Sequence, residues 1–184
     1  MESRSAQEVA RRTLCLEVLL QRLGLETDDE DPVAEREKVR ALWVTRLPEL
    51  GVVDDLLPEE RAFLERPVGE LSEDDLDDVH GRATGALVLL WVLGRLETRP
   101  NASSVEEIAD LLGEHGLLGD GSITRANEAV AAATLRDLAA VDEACAAYDR
   151  LRGKAKEPTE PEKIFAGVAA HQLAWVLDAS QPTE

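Results

Sequence analysis

Apolar residues recur at helical spacing along most of the chain, and glycine, proline or clustered acids separate the runs. The first run has apolar positions at alternating intervals of four and three, which form one stripe of a helix. The stripe consists of Val9, Thr13, Leu16, Leu20 and Leu23. Ser5 and Glu8 have the spacing of a capping box, and Gly24 stands where a helix C-cap favours glycine. The pattern therefore predicts a first helix over about residues 5–23.

Start and stop signals predict later helices at about residues 32–47, 58–64, 72–93, 103–115 and 160–178. Residues 123–152 contain no glycine or proline, and their periodicity fits one long helix or two helices with a bend near Thr134. The second half of the 72–93 segment is apolar on every side, so we expect it to be the central, most buried helix. No run alternates as a half-buried strand does. The predicted fold is all-α, an irregular bundle of six or seven helices around this central helix.

The ends of these helices are assigned from polar caps, glycine and proline. The expected N-caps are Ser72, Thr159 and either Ser103 or Ser104, and the expected C-cap of the 72–93 helix is Gly94. In the second helix, Asp31 is the expected N-cap, Pro32 the first helical residue and Pro48 the end. Its expected inner face consists of Val39, Leu42 and Trp43.

The length of 184 residues fits one domain, 1–184, with an acidic linker at about 25–31 and a linker containing lysine and proline at about 153–159. The 38 Asp and Glu residues against 20 Lys and Arg residues give a net charge of -18. This charge excludes direct nucleic-acid binding and disfavours anionic membranes, because phosphate groups would repel the protein. The longest run without charge, residues 83–94, spans about 18 Å as a helix, which is too short for a bilayer of about 30 Å.

The cysteines and the N-terminus indicate the expected compartment. Cys15 and Cys145 stand among apolar residues in helical patterns, so we expect buried thiols and not a disulfide. The first residues lack the basic and then apolar layout of a signal peptide. We therefore expect a cytoplasmic protein.

Two segments resemble a known family. Residues 82–94, RATGALVLLWVLG, resemble the LLWALG core of the uncharacterised family catalogued as domain of unknown function 4272. Residues 172–177, QLAWVL, are similar to that family's ALNWL segment, and the pieces between them agree in order, including YDR at 148–150. The resemblance extends from Ser5 to Leu177. It implies a helical fold, and it implies neither an activity nor a catalytic residue.

The chain departs from this family at polar positions. Gly85 stands where members often carry glutamate, and Ala174 stands where they carry asparagine. Members often carry an Arg-His pair before the last motif, and the nearest match here is Ala170-His171. If those polar residues form a site in relatives, this chain has lost most of it.

Clustered acids suggest a surface for a partner. The start of the 72–93 helix carries Glu73, Asp74, Asp75, Asp77 and Asp78. Their plain interpretation is solubility and a favourable place at the positive end of a helix. The alternative is a docking face for a basic partner, because clustered charge steers association and sets register. We expect a protein that acts without catalysis through contacts with a partner protein that has a basic face.

Three other functions remain open. Trp91, His171 and Trp175 would form a pocket for a small apolar or amphipathic ligand if the helices that carry them are adjacent. The plain interpretation is that both tryptophans anchor the core and that His171 is a partly buried histidine. An acidic antagonist of the immunity type, which presents carboxylates to a basic partner, is a further alternative, and an enzyme that uses His171 as a general base is the last.

Metal binding is not expected. Asp77 and His80 are three residues apart on a predicted helix and therefore face the same side. A carboxylate-bridged site in a bundle needs a second such pair and two further carboxylates, and no second pair with this spacing occurs in the sequence. We predict no metal and no cofactor.

Overall fold

The structure is a computed structural model that describes residues 3–28, 30–101, 105–119, 121–153 and 159–180. All regular secondary structure in these residues is α-helical, which confirms the predicted fold class. The described residues form eight helices, more than the six or seven expected. They are α1 (Ala6–Thr27), α2 (Val33–Leu50), α3 (Pro58–Glu65), α4 (Glu73–Val92), α5 (Val105–His115), α6 (Ile123–Ala131), α7 (Leu138–Gly153) and α8 (Glu160–Leu177).

Three helix starts have the N-caps that the sequence predicts, and each of them forms a capping box, of which only the first was predicted as a box. Ser5 caps α1 with Glu8, Ser72 caps α4 with Asp75, and Thr159 caps α8 with Glu162. In each box the hydroxyl accepts a backbone N–H three residues on, and the acid accepts the N–H of the cap. The expected cap of α5, Ser103 or Ser104, lies outside the described residues.

The C-cap of α4 is Leu93 and not the predicted Gly94, which is the next residue. Gly94 has a φ of 71°, in the left-handed region that favours glycine. Its N–H donates to the carbonyl of Trp91 at 3.0 Å, and the N–H of Arg95 donates to the carbonyl of Leu90 at 2.9 Å. This pair of bonds is a Schellman motif, which satisfies two carbonyls at the helix end.

Helix α1 continues past its predicted end. Gly24 is helical, and α1 ends only at Thr27. The extra turn carries Glu26, whose carboxylate accepts hydrogen bonds from Arg22 at 2.5 Å and from the backbone N–H of Gly69 at 2.9 Å. These contacts favour continuation of the helix, so the connection to α2 is shorter than the predicted acidic linker. The residues of the second predicted linker from 154 to 158 lie outside the described residues.

Helix α2 differs from its prediction at both ends. It begins at Val33 with Pro32 as N-cap, one residue later than expected. Pro48 lies inside its last turn, because Leu47 and Leu50 are both buried and hold that turn against the core. Gly51, with a φ of 68°, ends the helix.

The predicted inner face of α2 is largely wrong. Val39 and Leu42 are 42% and 48% exposed, whereas Trp43 is partly buried against the core. The helix is instead turned so that Trp43, Leu47 and Leu50 face inward, and only the last two of these are fully buried.

The segment 123–152 is two helices, α6 and α7, and a tertiary contact accompanies the break. In the connection between them, the backbone N–H of Arg136 donates to the carbonyl of Val92 at 2.7 Å. Its guanidinium donates to the carbonyls of Trp91 at 2.9 Å and Leu96 at 2.8 Å. Arg136 therefore ties this connection to the end of α4.

Two helices share the centre of the core. Every residue from Arg12 to Leu20 in α1 and every residue from Thr84 to Leu93 at the end of α4 is buried. Helix α4 packs along α1 on one side and α8 on the other, and α8 pairs with α7. Helices α2, α3 and α6 contact α1. No helix among the described residues is long and apolar enough to cross a membrane.

Candidate functional site

The predicted acidic surface forms one wall of a groove between α3 and α4. The groove has a volume of about 240 Å³. Its lining residues are Glu59, Glu60, Ala62, Phe63, Arg66, Asp74, Asp75, Asp78, Val79 and Arg82. Three of the five predicted interface residues therefore line the groove. Glu73 and Asp77 are exposed on the same turns of α4 outside it.

Asp75 connects the cap of α4 to the end of α3. Its carboxylate accepts hydrogen bonds from the hydroxyl of Ser72 at 2.6 Å and from the backbone N–H of Ser72 at 2.9 Å. It also accepts from the guanidinium of Arg66 at 2.6 Å. The hydrogen bonds from Ser72, and then the contact with Arg66, lower the pKa of Asp75. Asp75 is therefore held as a carboxylate at one end of the groove.

Arg82 bridges the two walls of the groove. Its Nε lies 3.0 Å from Oδ2 of Asp78, and its Nη1 lies 3.1 Å from Oε1 of Glu59. The pKa of Glu59 is lowered by a hydrogen bond from the backbone N–H of Glu59 itself, and then by the contact with Arg82. Glu59, Asp75 and Asp78 are thus held in place by arginines of the chain itself.

The floor of the groove is apolar and rests on a buried ion pair. Phe63 and Val79 are each 4% exposed and supply the apolar surface. Beneath them, both oxygens of Glu60 accept from the guanidinium of Arg12, each at 2.7 Å. Glu60 also accepts the N–H of Leu57 at 3.0 Å, which closes the first turn of α3, and its pair with Arg12 ties this turn to α1.

The groove combines negative charge with an apolar centre. Its lining has five carboxylates against the guanidinium groups of Arg66 and Arg82, and Arg12 neutralises only Glu60. Asp74 is exposed and has no ion-pair partner among the described residues. The lining contains no histidine, cysteine, serine or threonine to act as a nucleophile or a general base near neutral pH. The arrangement is suited to binding a cationic side chain with an aliphatic stem.

The residues of the predicted ligand pocket differ in their exposure. Trp91 and Trp175 are both buried, whereas His171 is exposed. The guanidinium of Arg136 lies 4.7 Å from the ring centre of Trp91, and that of Arg4 lies 4.7 Å from the ring of Trp175. Each indole face therefore carries a cation from the chain itself, as expected of cation–π packing. Ligand binding by these three residues stays a prediction.

Sequence reasoning missed the partners of the acidic cluster. Arg66 and Arg82 pair with its carboxylates, and Phe63 supplies its apolar floor. The only signal in the sequence was the acidic first turn of α3, which resembles that of α4. Helices α3 and α4 become adjacent only in the tertiary structure, and no local sequence pattern predicts this.

The structure also bears on metal binding. Among the described residues, no group of three or more His, Cys, Asp or Glu side chains is placed to hold a metal ion. Asp77 is exposed and His80 is half-buried on the turns that follow the cap of α4.

Comparison with known proteins identifies the family but not an activity. No curated protein and no solved structure matches the chain. The model of one family, described as domain of unknown function (DUF4272), matches residues 1–174. Since this match covers nearly the whole sequence, the chain belongs to the DUF4272 family.

Proposed function

We propose that the protein acts without catalysis, through contact with another protein, and that the groove between α3 and α4 receives a basic segment of that partner. The observation that carries the proposal is the apolar floor of Phe63 and Val79 inside a rim of carboxylates. Charge at a rim steers association and sets register, whereas affinity needs a desolvated centre beside it. This groove has both features.

The pairs inside the groove indicate the chemistry of the partner. Asp75, Asp78 and Glu59 already bind guanidinium groups of the chain's own arginines. These contacts preorganise the rim, which reduces the entropy that binding must overcome. Asp74 and the neighbouring Glu73 and Asp77 remain exposed to receive a further cation.

The net charge of -18 supports the same conclusion at longer range. Such a field attracts a basic partner from solution and raises the association rate at low salt. Both cysteines are free thiols, as is usual in a reducing compartment. We propose that the contact forms in the cytoplasm.

The direct test uses an acetylated, amidated peptide of four arginines as the probe, with a four-glutamate peptide as its control. Binding is followed by chemical-shift changes in the backbone amides of the ¹⁵N-labelled protein. We expect the largest changes in residues 59–82, and we expect binding to weaken as salt rises above about 0.15 M, where the screening length is about 8 Å.

Matched variants separate the groove from the charge of the whole protein. Removal of the exposed charges at the groove, Glu73→Gln, Asp74→Asn and Asp77→Asn together, should weaken peptide binding several-fold. A control set removes three exposed charges elsewhere: Glu30→Gln, Asp142→Asn and Glu143→Gln. Equal losses in the two sets would contradict the proposal, because binding would then depend on net charge alone.

A further variant tests the apolar part of the groove. Ala62 is exposed at the groove, so Ala62→Phe should fill space without changing any charge. We expect this variant to keep its fold and lose peptide binding. Undiminished binding would show that the peptide lies on the acidic surface and does not enter the groove.

A further inference from the structure

A second cavity lies between α1, α5 and the segment that follows α5, and it shares no residue with the groove between α3 and α4. Its volume is about 200 Å³, below the range of about 300–1,000 Å³ that is typical of sites for drug-sized ligands. The residues that line it are Glu17, Leu20, Gln21, Gly24, Ala109, Leu112, Gly113, Leu118 and Gly119. The cavity is therefore of a size for a small molecule.

Glu17 is a buried carboxylate in this cavity. Its residue is 3% exposed, and its oxygens accept the backbone N–H groups of Leu117 at 2.8 Å and Leu118 at 2.7 Å. These donors are neutral, and Glu17 forms no ion pair among the described residues. Each carboxylate oxygen can accept a second hydrogen bond. The site thus contains a desolvated acid with acceptor capacity left and no cation in contact with it.

The pKa of Glu17 agrees with a carboxylate that has no cationic group in contact with it. Burial raises the pKa of Glu17 to about 7, although the hydrogen bonds from Leu118 and Leu117 and the charge of Arg95 act in the opposite direction. Arg95 follows the end of α4 and influences the carboxylate only through its charge. A cation in the cavity would favour the ionised form of the acid.

Two of the residues that line the cavity are helical glycines, although close packing does not require glycine at either position. Gly24 lies in α1 and Gly113 lies in α5, where glycine weakens a helix relative to alanine. A Cβ atom built at either position meets nothing within 4 Å. Gly116 is a contrast, because a Cβ there would lie 2.3 Å from the carbonyl oxygen of Leu112. The two helical glycines are therefore not required by close packing, and both line the cavity.

We infer that this cavity binds a small aliphatic amine in its ammonium form, with Glu17 as the counter-ion. The buried side chains of Leu112 and Leu118 would contact the aliphatic part. Gln21, which is exposed at the cavity, adds an amide oxygen that can accept from the ammonium group. A free amine is favoured over a larger partner by the small volume. This site is independent of the proposed function of the groove.

The probe is n-butylammonium, and n-butanol is its uncharged counterpart of the same length. We expect n-butylammonium to bind with a dissociation constant of about 1 mM or tighter, which is within reach of a ligand with five heavy atoms. Binding is measured from chemical-shift changes at residues 17, 21, 113 and 118. We expect n-butanol to bind at least about tenfold more weakly. Absence of amine binding up to about 50 mM, far above that constant, or equal binding of both compounds, overturns the inference.

Two variants locate the site. The pair Gly24→Ala and Gly113→Ala should fold at least as well as the natural chain, because alanine favours helices, and should weaken amine binding at least about tenfold by filling the cavity. Glu17→Gln should weaken it similarly by removing the charge. Undiminished binding to the alanine pair overturns the site even if Glu17→Gln fails to fold.

A final comparison distinguishes a free amine from a lysine side chain. Nα-acetyl-lysine methylamide carries the same butylammonium group on a peptide unit. We expect it to bind more weakly than n-butylammonium, because a volume of about 200 Å³ leaves little space for the peptide unit beside the butylammonium group. Tighter binding of the lysine derivative would show that the site receives a protein side chain, and would overturn the assignment to a free amine.

Discussion

Replacement of Glu60 by leucine should strongly destabilise the protein, because it leaves the guanidinium of Arg12 buried without a counter-charge. The side chains of Arg12 and Glu60 are only 4% and 1% exposed, and two hydrogen bonds of 2.7 Å join them. Burial acts to lower the pKa of Arg12, but the hydrogen bonds and charge of Glu60 outweigh it, so the pKa is raised. The arginine therefore stays charged and depends on its partner.

The size of the effect follows from what the substitution removes. Loss of one partner from a buried pair costs about 3–5 kcal/mol, and loss of the hydrogen bond from the N–H of Leu57 adds about 1 kcal/mol. This is a large part of a total stability of about 5–15 kcal/mol. At about 2–4 °C per kcal/mol for a domain of this size, the melting temperature of Glu60→Leu should fall by roughly 10–20 °C.

The assay is a double-mutant cycle by urea unfolding, followed by tryptophan fluorescence and circular dichroism. Arg12→Met should cost less than Glu60→Leu, because a lone carboxylate can be neutralised by a proton and a guanidinium cannot. Glu60 would also keep the N–H of Leu57 and the guanidinium of Arg82, 3.9 Å away. The double variant should recover to within about 2 kcal/mol of the natural chain, because an apolar pair can replace a buried ion pair.

Two results would refute this reasoning. The first is a cost below about 1 kcal/mol for Glu60→Leu, which would mean that Arg12 finds water or another partner. The second is additivity of the two single substitutions in the double variant, because contacting residues that act as a unit show an interaction energy of about 0.5–3 kcal/mol.

Three further predictions concern the core, one turn and pH. Leu90 is 0% exposed, so Leu90→Asp should prevent folding, since an unpaired charge there costs several kcal/mol; a variant with an unchanged thermal transition would contradict this. Gly116→Ala should cost about 1–3 kcal/mol in urea unfolding, because its Cβ would lie 2.3 Å from the carbonyl oxygen of Leu112, whereas Gly113→Ala is the unstrained control. The pKa of Glu17 rises from 4.5 to about 7 on folding, so its protonated form favours the folded state. The stability that it contributes is complete below pH 4.5 and is lost as pH rises through 7, by up to about 3 kcal/mol. Urea unfolding of the natural chain and Glu17→Gln at pH 5 and pH 8 measures this change, and a constant difference between them would be evidence against it.

Helix starts were determined by the sequence itself, because both partners of each capping box lie within one turn. Ser5, Ser72 and Thr159 each form the box with an acid three residues later. These bonds need no tertiary contact, so the residue types and their spacing suffice to predict them. The all-α class follows in the same way from the helical period of the apolar residues.

Helix ends and faces depended more on the tertiary structure. Gly24 does not end α1 because Glu26, one half-turn later, binds Arg22 and the backbone of Gly69. Pro48 does not end α2 because buried leucines flank it. A stop signal is a weak local preference of about 1–3 kcal/mol, and packing of the next turn can exceed it.

The candidate sites were the least predictable from the sequence, because their residues meet only after the chain has folded. Arg12 and Glu60 are 48 residues apart, and Glu17 is 100 residues from Leu117, whose N–H it accepts. A buried acid and a buried arginine have no periodic pattern that separates them from residues on a solvated helix face. The sequence determined that the start of α4 would be acidic. Only the tertiary structure, which brings side chains of α3 and α4 to one groove and sets the segment after α5 on Glu17, decided which carboxylates border an apolar groove and which one is enclosed in a cavity.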